Sequence, residues 1–453
     1  MMRRTVILGL LGAALAAAAG AASAAPPPNI IFIMSDDHRW DGLGAAGNPR
    51  VMTPNLDRLA REGVHFFQAT MHVPQCSPGR AQLLTGLPPH RTGWYSNQHR
   101  RPDVDRLDGF ARFPLLPALL KKAGYHTVFT GKWHLTPEPW DSGFADVRAW
   151  LPGGGGAYRD LPLAHGRSRA LKPGEGYTQE RFADEAIGFL KSDEAVRQPF
   201  FLWVALTAPH APFGPNPPHI EKLYAGKSRE DLLPPGFRGE PISTTWNRYY
   251  ESISFMDEQV GRVLRALKER RLDRNTIVVF IGDNGFMMGD RGWNGKVLPY
   301  EGSVRVPLIV RAPGLARRSG RTDAAVSSLD LPPTFLRWAG VTPPAEWPGR
   351  DLTPALQRRR HGLDFAISEF ADNQSAQFGE YAYRLIRTPT HKLILWERSD
   401  KKDELYDLRG DPHETRNLAG DAALARSERE LRTRLGAWMQ QTGDVFRDKP
   451  TLR

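Results

Sequence analysis

The first candidate for chemistry is a lone cysteine in a short, distinctive stretch. Cys76 is the only cysteine in the 453 residues, so neither an internal disulfide nor a multi-cysteine metal site is available to it. Pro78 and Arg80 follow it, and the apolar stretch Ala81–Leu84 predicts a short helix that holds Cys76 in its first turn and stops at Gly86. The free amides of a helix start favour negative charge. The alternative is burial of the thiol as a small apolar side chain.

Polar residues also follow four predicted buried strands. Asp36 and Asp37 follow the strand Asn29–Met34, and Lys132 and His134 follow Tyr125–Thr130. His210 follows Phe200–Leu206, and Asp283 and Asn284 follow Thr276–Ile281. Adjacent carboxylates beside a buried strand are costly unless a cation or hydrogen-bond donors neutralise them. Taken singly, each group also fits a solvated turn. Because ligands bind at the carboxyl ends of the strands in open α/β sheets, we expect all these groups to meet Cys76 at one site.

The elements that position these groups are predicted to form two domains. Alternating strands and helices indicate a large wound α/β domain over residues 26–345, with a mixed, mostly parallel sheet flanked by helices. Residues 346–453 predict a small C-terminal α+β domain, an antiparallel sheet with a covering helix, because short strands follow one another without helices between them. Residues 341–362, rich in Pro and Arg, are predicted to link the two domains.

A loop from Gly153 to about Gly176 is expected to shape the substrate pocket. Further candidate wall positions are Trp94, Tyr95, His99, Arg100 and Arg101.

Residues 1–25 are typical of an export signal. Arg3 and Arg4 form a charged start, Val6–Ala22 is apolar and alanine-rich, and Ala22–Ala24 provides a small-residue cleavage site. The segment is too short and too weakly apolar to predict a stable membrane anchor. We therefore expect a periplasmic or secreted protein, exported by the general or the twin-arginine route. In an exported chain, a single cysteine favours a non-structural use of Cys76.

The formal net charge of +11 is compatible with an anionic substrate. An arginine-rich solvated surface explains this charge equally well. No long Lys/Arg block or nucleic-acid recognition motif appears in the sequence, so nucleic acid is not expected as a partner.

The pattern Cys-x-Pro-x-Arg at residues 76–80 resembles the core signature of the type I, formylglycine-dependent sulfatases of the alkaline phosphatase-like superfamily. The resemblance extends over nearly the whole mature chain, through Asp36–Asp37, Thr53–Asp57, Leu84–Gly86, Gly131–His134, Pro209–His210, Asp283–Gly285, Lys296–Pro307, Leu405–Leu408, Asp411–Pro412 and Asn417–Leu418. It implies that a separate formylglycine-generating enzyme oxidises Cys76 to an aldehyde. It also implies one divalent cation: the hard oxygen ligands suit Ca²⁺ or Mg²⁺ and disfavour Zn²⁺, and the resemblance implies Ca²⁺, the usual ion of that family. The implied metal ligands are Asp36, Asp37, Asp283, Asn284 and the modified residue 76, and the implied sulfate pocket comprises Arg80, Lys132, His134, His210 and Lys296.

The resemblance implies a hydrolase that converts a sulfate ester, an aryl sulfate or a sulfated carbohydrate, to alcohol and sulfate. The hydrated aldehyde at position 76 has two hydroxyls on one carbon, and one of them would attack sulfur while the cation and the basic residues offset the negative charge. His210 or Lys296 would protonate the leaving alcohol. His134 would deprotonate the second hydroxyl, so that the adduct collapses, sulfate is expelled and the aldehyde is restored.

Two other interpretations remain open at this point. The first is a phosphonate or phosphate monoester hydrolase of the same superfamily. Such relatives tend to carry a histidine where Asn284 stands, which favours the sulfatase. The second is a non-catalytic exported protein that binds sulfated ligands while Cys76 stays a thiol.

Overall fold

The computed structural model of the chain describes residues 26–97, 112–238, 245–317, 319–358, 362–371, 382–397 and 401–445. The predicted export signal, residues 1–25, lies outside these ranges. The strands are β1 Asn29–Ser35, β2 Val64–Thr70, β3 His126–Lys132, β4 Asp146–Leu151, β5 Ala164–His165, β6 Phe200–Ala205, β7 Thr276–Gly282, β8 Met287–Met288, β9 Asn294–Gly295, β10 Leu308–Arg311, β11 Gly320–Ser327, β12 Ala366–Phe370, β13 Tyr383–Arg387, β14 His391–Trp396 and β15 Glu404–Asp407. The helices are α1 Pro54–Glu62, α2 Cys76–Thr85, α3 Pro89–Thr92, α4 Leu116–Lys122, α5 Thr178–Lys191, α6 Glu194–Arg197, α7 Pro218–Glu221, α8 Arg229–Leu232, α9 Trp246–Glu269, α10 Glu301–Val304, α11 Leu331–Trp338, α12 Thr353–Leu356 and α13 Ala425–Thr442.

Strand β1 lies at the centre of the main sheet and is buried along its whole length. The nine strands are ordered β11-β2-β10-β7-β1-β6-β3-β4-β5. β1 pairs in parallel with β6 and β7, and β3 and β4 continue in that direction, whereas β10 is antiparallel to both of its neighbours. Side chains alternate between the faces, so that Phe32 joins one hydrophobic cluster and Ile31 and Ile33 join the other. The continuous apolar sequence of β1 follows from burial on both faces, and the predicted fold class is confirmed.

Helices cover both faces of the main sheet. α2, α4 and α11 contribute to the cluster around Phe32, and α1, α5 and α9 contribute to the opposite cluster. α2 begins at Cys76 and ends before Gly86, whose φ of 67° lies in the left-handed region that favours glycine. The predicted start and stop of this helix are therefore both observed.

The second sheet is antiparallel and consists of β12, β13, β14 and β15 in that order. Helix α13 covers one face of it through Leu431 and Leu435. The opposite face carries Tyr383, which packs into one cluster with Val297 and Leu298. The small sheet therefore supports the main-chain segment that carries Lys296.

The stretch 341–362 differs from the predicted linker. Trp347, Leu352 and Leu356 are buried in the main hydrophobic cluster together with Phe335. The many Pro and Arg residues concealed this apolar set, because the three side chains are irregularly spaced and only Leu356 lies in a helix, the four-residue α12. In the part of the chain that the structure describes, no helix combines the length and apolar character needed to cross a bilayer.

Candidate active site

The predicted site residues meet at the carboxyl edge of four neighbouring strands, β7, β1, β6 and β3. Asp36 and Asp37 follow β1, Asp283 and Asn284 follow β7, His210 follows β6, and Cys76 opens α2. Lys132 is the last residue of β3 rather than a residue beyond it, and His134 lies two positions further. The amide of Asp36 donates to the carbonyl of Ala208 at 3.1 Å, and that of Asp283 donates to the carbonyl of Ser35 at 2.9 Å. These bonds hold the loops after β1, β6 and β7 together.

Three carboxylates surround the thiol of Cys76. Asp36, Asp37, Asp283 and Cys76 each place one possible ligand atom within 4.8 Å of the others, and all four side chains are buried. The thiol Sγ lies 3.4 Å from Oδ1 of Asp36 and 2.7 Å from Nζ of Lys296. The structure therefore places Cys76 in contact with Asp36 and within 4.8 Å of the other two carboxylates among the predicted metal ligands.

Basic side chains partner each of these carboxylates. The ion pairs are Lys132–Asp36, Lys296–Asp37 and Arg80–Asp283. Arg80 binds a single oxygen of Asp283 through Nε at 3.1 Å and Nη2 at 2.8 Å, and its Nη1 donates to the carbonyl of Lys132 at 2.6 Å. Arg80 thus joins α2 to both β7 and β3. Because buried carboxylates without partners are strongly destabilising, these cations are needed for the site to exist.

The charges of the site follow from burial and from these pairs. Burial, with the Asp36 carboxylate nearby, raises the pKa of the Cys76 thiol to about 12. The unmodified thiol is therefore protonated at neutral pH and is a weak nucleophile. Burial and the neighbouring Asp36 raise the pKa of Asp283 to about 6 despite Arg80. Burial disfavours the Asp36 carboxylate as well, but Lys132 and the other cations hold the pKa of Asp36 well below its usual range.

His134 is a neutral side chain at the rim of this cluster. Burial, with Lys132 and Arg80 nearby, lowers the pKa of His134 to about 2. Its Nδ1 is buried and has no hydrogen-bond partner. Its backbone is fixed on both sides, since its amide donates to the carbonyl of Pro152 at 3.2 Å and its carbonyl accepts from the hydroxyl of Ser77 at 2.8 Å. The imidazole is therefore neutral at neutral pH and, with so low a pKa, is a weak base in this state of the site.

His210 is the most exposed of the predicted site residues. Its Nδ1 lies 2.8 Å from the carbonyl of Ala211, and because a carbonyl only accepts, Nδ1 carries the proton of that bond. The Nε2 atom is 3.7 Å from Oδ2 of Asp37 and is the nitrogen free to exchange a proton. The hydroxyl of Tyr158 donates to the carbonyl of His210 at 2.8 Å and fixes its backbone. Sequence analysis missed Tyr158 and Ser77, because both act on backbone carbonyls and leave no motif.

The donor set fits a hard divalent cation. Three carboxylates lie together, and Oδ1 of Asn284 is buried without a hydrogen-bond partner. The amide nitrogen of Asn284 donates to Oδ1 of Asp37 at 2.6 Å, so its oxygen stays available. Carboxylate and amide oxygens are the ligands preferred by Ca²⁺ and Mg²⁺. Asp36, Asp37, Asp283 and Asn284 are therefore chemically suited to the role that the sequence assigns to them.

A glycine-rich loop forms one wall of the site. A Cβ atom on Gly154 would lie 2.6 Å from Cε1 of His134, and a Cβ atom on Gly155 would lie 3.0 Å from Cε1 of His210. The two glycines therefore pack directly on the two imidazoles, and the run of glycines at 153–156 was the sequence signal for this loop.

Trp94 is only 3% exposed, and its Nε1 donates to the hydroxyl of Ser77 at 3.0 Å, so it supports the start of α2. Tyr95, the next proposed wall position, is partly buried, and the remaining positions His99, Arg100 and Arg101 lie outside the described residues.

Comparison with known families identifies the class of protein. The family model described as Sulfatase matches residues 28–341, and the model of the C-terminal region of N-sulphoglucosamine sulphohydrolase matches residues 289–441. The chain belongs to the sulfatase family and is a sulfuric ester hydrolase, which confirms the resemblance drawn from its motifs.

Individual relatives cover most of the chain. It is 29% identical over 439 residues to the ulvan-active sulfatase of Formosa agariphila, a match that covers 93% of this chain and 82% of that protein. It is 33% identical over 398 residues to the N-acetylgalactosamine-6-sulfatase of Rattus norvegicus, with coverage of 79% and 71%. A solved structure of BT4656 in complex with its substrate D-glucosamine-2-N,6-O-disulfate superposes with a TM-score of 0.76, at 26% identity and with coverage of 94% and 100%.

Proposed function

We propose that this sulfatase removes sulfate from a sulfated carbohydrate, through formylglycine formed from Cys76 and with one bound Ca²⁺. The observation that carries the proposal is the position of the Cys76 side chain, in contact with both Asp36 and Lys296 among three buried carboxylates. The pKa of about 12 supports the need for modification, because the thiol itself is a poor nucleophile. The carbohydrate class is supported by relatives named for sulfated sugars and for ulvan.

The ion would be held by Asp36, Asp37, Asp283 and Asn284 together with the modified residue 76. What a hard cation supplies, when bound, is positive charge against the oxygens of the sulfate group. What formylglycine supplies is a hydrate with two hydroxyls on one carbon, which lets the sulfuryl group be taken up and then released.

The other side chains bind the sulfate and move protons. Lys132 and Lys296 lie next to their carboxylate partners, and they stabilise the negative charge that develops on sulfate in the transition state. The resemblance to sulfatases gives His134 the role of accepting a proton from the residue at position 76, and its buried Nδ1, which has no hydrogen-bond partner, is the atom available for it. His210 directs Nε2 towards Asp37 at the open side of the site, where it protonates the leaving alcohol.

The proposal includes export and maturation. Residues 1–25 act as a cleaved export signal, so that the mature enzyme is periplasmic or secreted, and a formylglycine-generating enzyme acts on Cys76 before or during export. N-terminal sequencing of the protein recovered from the periplasm or medium tests the first part. A mature protein that begins close to residue 26 is expected, and an uncleaved Met1 in the exported fraction contradicts the proposal.

A substrate panel tests the reaction. The purified enzyme is assayed with p-nitrophenyl sulfate, p-nitrophenyl phosphate and sulfated monosaccharides, each with Ca²⁺ present. We expect kcat/KM for sulfate esters to exceed that for the phosphate ester. Phosphate turnover above sulfate turnover would instead assign the chain to the monoester hydrolases of the same superfamily. No turnover of any ester while sulfated sugars bind would support the non-catalytic alternative.

A further inference from the structure

A groove beside the active site carries an exposed indole and two lysines. It has a volume of about 320 Å³ and lies where the loop after β8 meets the small sheet. Trp293 on this loop leaves 43% of its surface exposed, which is rare for so large an apolar side chain. Lys401 and Lys402 line the opposite side, and Nζ of Lys401 lies 4.4 Å above the ring of Trp396. The groove thus combines a flat apolar surface with positive charge.

The carboxylate that lines this groove is already occupied by hydrogen-bond donors. Glu404 accepts from Nε1 of Trp396 at 2.9 Å and from the hydroxyls of Tyr300 and Tyr406. Among the described lining residues the two lysines outnumber this one carboxylate, so the net charge is positive and an anionic ligand is favoured there.

The groove also lies close to the catalytic centre along the chain. Trp293 precedes Lys296 by three residues, a span of at most about 10 Å along an extended chain, and Lys296 contacts the thiol of Cys76. The segment is fixed between them, since the amide of Val297 donates to the carbonyl of Pro74 at 3.2 Å and Leu298 packs against the small sheet. The separation of Trp293 from Lys296 is therefore short enough for neighbouring units of one polymeric ligand to reach both places.

We propose that the groove is a subsite for a second sulfated sugar unit of a polymeric substrate, with the sugar ring stacked on Trp293 and its sulfate paired with Lys401 and Lys402. The inference rests on the proposed carbohydrate sulfatase function and deepens it. The C–H face of a sugar ring is apolar and packs on an exposed aromatic face, while a sulfate accepts charged hydrogen bonds from ammonium groups. The enzyme would then act within or at the end of a sulfated chain rather than on isolated monosaccharides. A single-stranded nucleic acid also combines rings with anions, but the short distance between Trp293 and Lys296 of the sulfate pocket favours the glycan.

Affinity electrophoresis of the full-length mature protein tests the subsite. Gels contain dextran sulfate, uncharged dextran or no polymer, and the apparent Kd is taken from the retardation. We expect dextran sulfate to retard the wild type and Lys401→Ala/Lys402→Ala to raise the Kd about tenfold, because two charged contacts are lost. The matched control is Lys121→Ala/Lys122→Ala, which removes the same charge from two adjacent exposed lysines at the end of α4. Trp293→Ala should also raise the Kd several-fold without any change of charge, and Trp293→Phe should retain most of the binding.

Three results would overturn the subsite. One is an equal loss of binding in the two lysine double variants, which would show that only the net charge matters. Another is a retardation of Trp293→Ala by dextran sulfate that equals the retardation of the wild type. The third is tighter binding of a single-stranded oligothymidylate than of dextran sulfate, lost in the same variants. Turnover of p-nitrophenyl sulfate and of sulfated monosaccharides by the wild type is measured in parallel, and the absence of turnover of every one of these esters refutes the proposed function independently of the retardation series.

Discussion

The contact between Gly154 and His134 allows the role of the histidine to be tested without replacing it. A methyl group at position 154 would lie 2.6 Å from Cε1 and 2.7 Å from Nε2 of the imidazole, whereas ordinary contacts begin at 3.4 Å. The ring must therefore move by roughly 0.8 Å, and a misplacement of about 1 Å in an active site costs on the order of 10²-fold in rate. We predict that Gly154→Ala lowers kcat for p-nitrophenyl sulfate by about 10²-fold. Stability should change little, because the group that yields is the end of a side chain.

Gly153 provides the matched control. A Cβ atom there has no neighbour within 4 Å, so Gly153→Ala should keep wild-type kcat. Gly155→Ala should give an intermediate loss, about tenfold, since its Cβ would meet Cε1 of His210 at 3.0 Å and a smaller shift suffices. The assay is kcat together with the Tm of each variant. A Gly154→Ala enzyme within about threefold of Gly153→Ala, at equal Tm, would refute the assigned role of His134.

Three further outcomes are expected. Chelation of divalent cations should abolish turnover and lower the Tm, because an ion present at about 100 times its Kd adds about 2.7 kcal/mol of stability. Added Ca²⁺ should restore both turnover and Tm. A Tm that does not change on chelation contradicts the ion site. Arg80→Lys keeps the charge but cannot reproduce both the hydrogen bonds to Asp283 and the one to the carbonyl of Lys132. We therefore expect kcat/KM to fall on the order of 10²-fold, and a variant with wild-type kcat/KM would contradict the role of Arg80 in positioning the site. Burial, with Arg305 and Arg321 nearby, lowers the pKa of His65 to about 4. The folded state therefore resists protonation of His65, and stability falls by about 3 kcal/mol as the pH drops from 6.5 to 4. In urea unfolding of His65→Phe, the free energy of unfolding should fall by about 3 kcal/mol less than in the wild type over this pH range. An equal fall in both proteins refutes the lowered pKa of His65.

The strands of the site were predictable because they are buried on both faces. β1, β6 and β7 are continuous apolar runs, and their predicted ends agree with the structure within one residue. β2 was missed because His65 and Gln68 interrupt its apolar pattern, although both are buried in the sheet. β11 was missed because its first half, Gly320–Asp323, is polar and partly exposed. Pairing with neighbouring strands stabilises both segments, and a local sequence pattern does not contain that information.

The site was predictable to the extent that it follows strand ends. Parallel strands bring Asp36 and Asp283 to one edge, so the rule for α/β sheets anticipated their proximity. Lys296 follows no long strand, and its place beside Cys76 was expected only from the resemblance to sulfatases. The contacts of Gly154 and Gly155 with the two histidines depend on how a long loop folds back, which no spacing rule specifies.

The central claim is that residue 76 acts as an aldehyde hydrate within the acidic cluster. Mass spectrometry of the peptide that contains Cys76, isolated from enzyme with measured sulfatase activity, tests it directly. We predict the mass of formylglycine, in which CHO replaces CH₂SH, in a fraction of molecules that rises with specific activity. Fully active enzyme in which residue 76 is entirely an unmodified thiol would contradict the account.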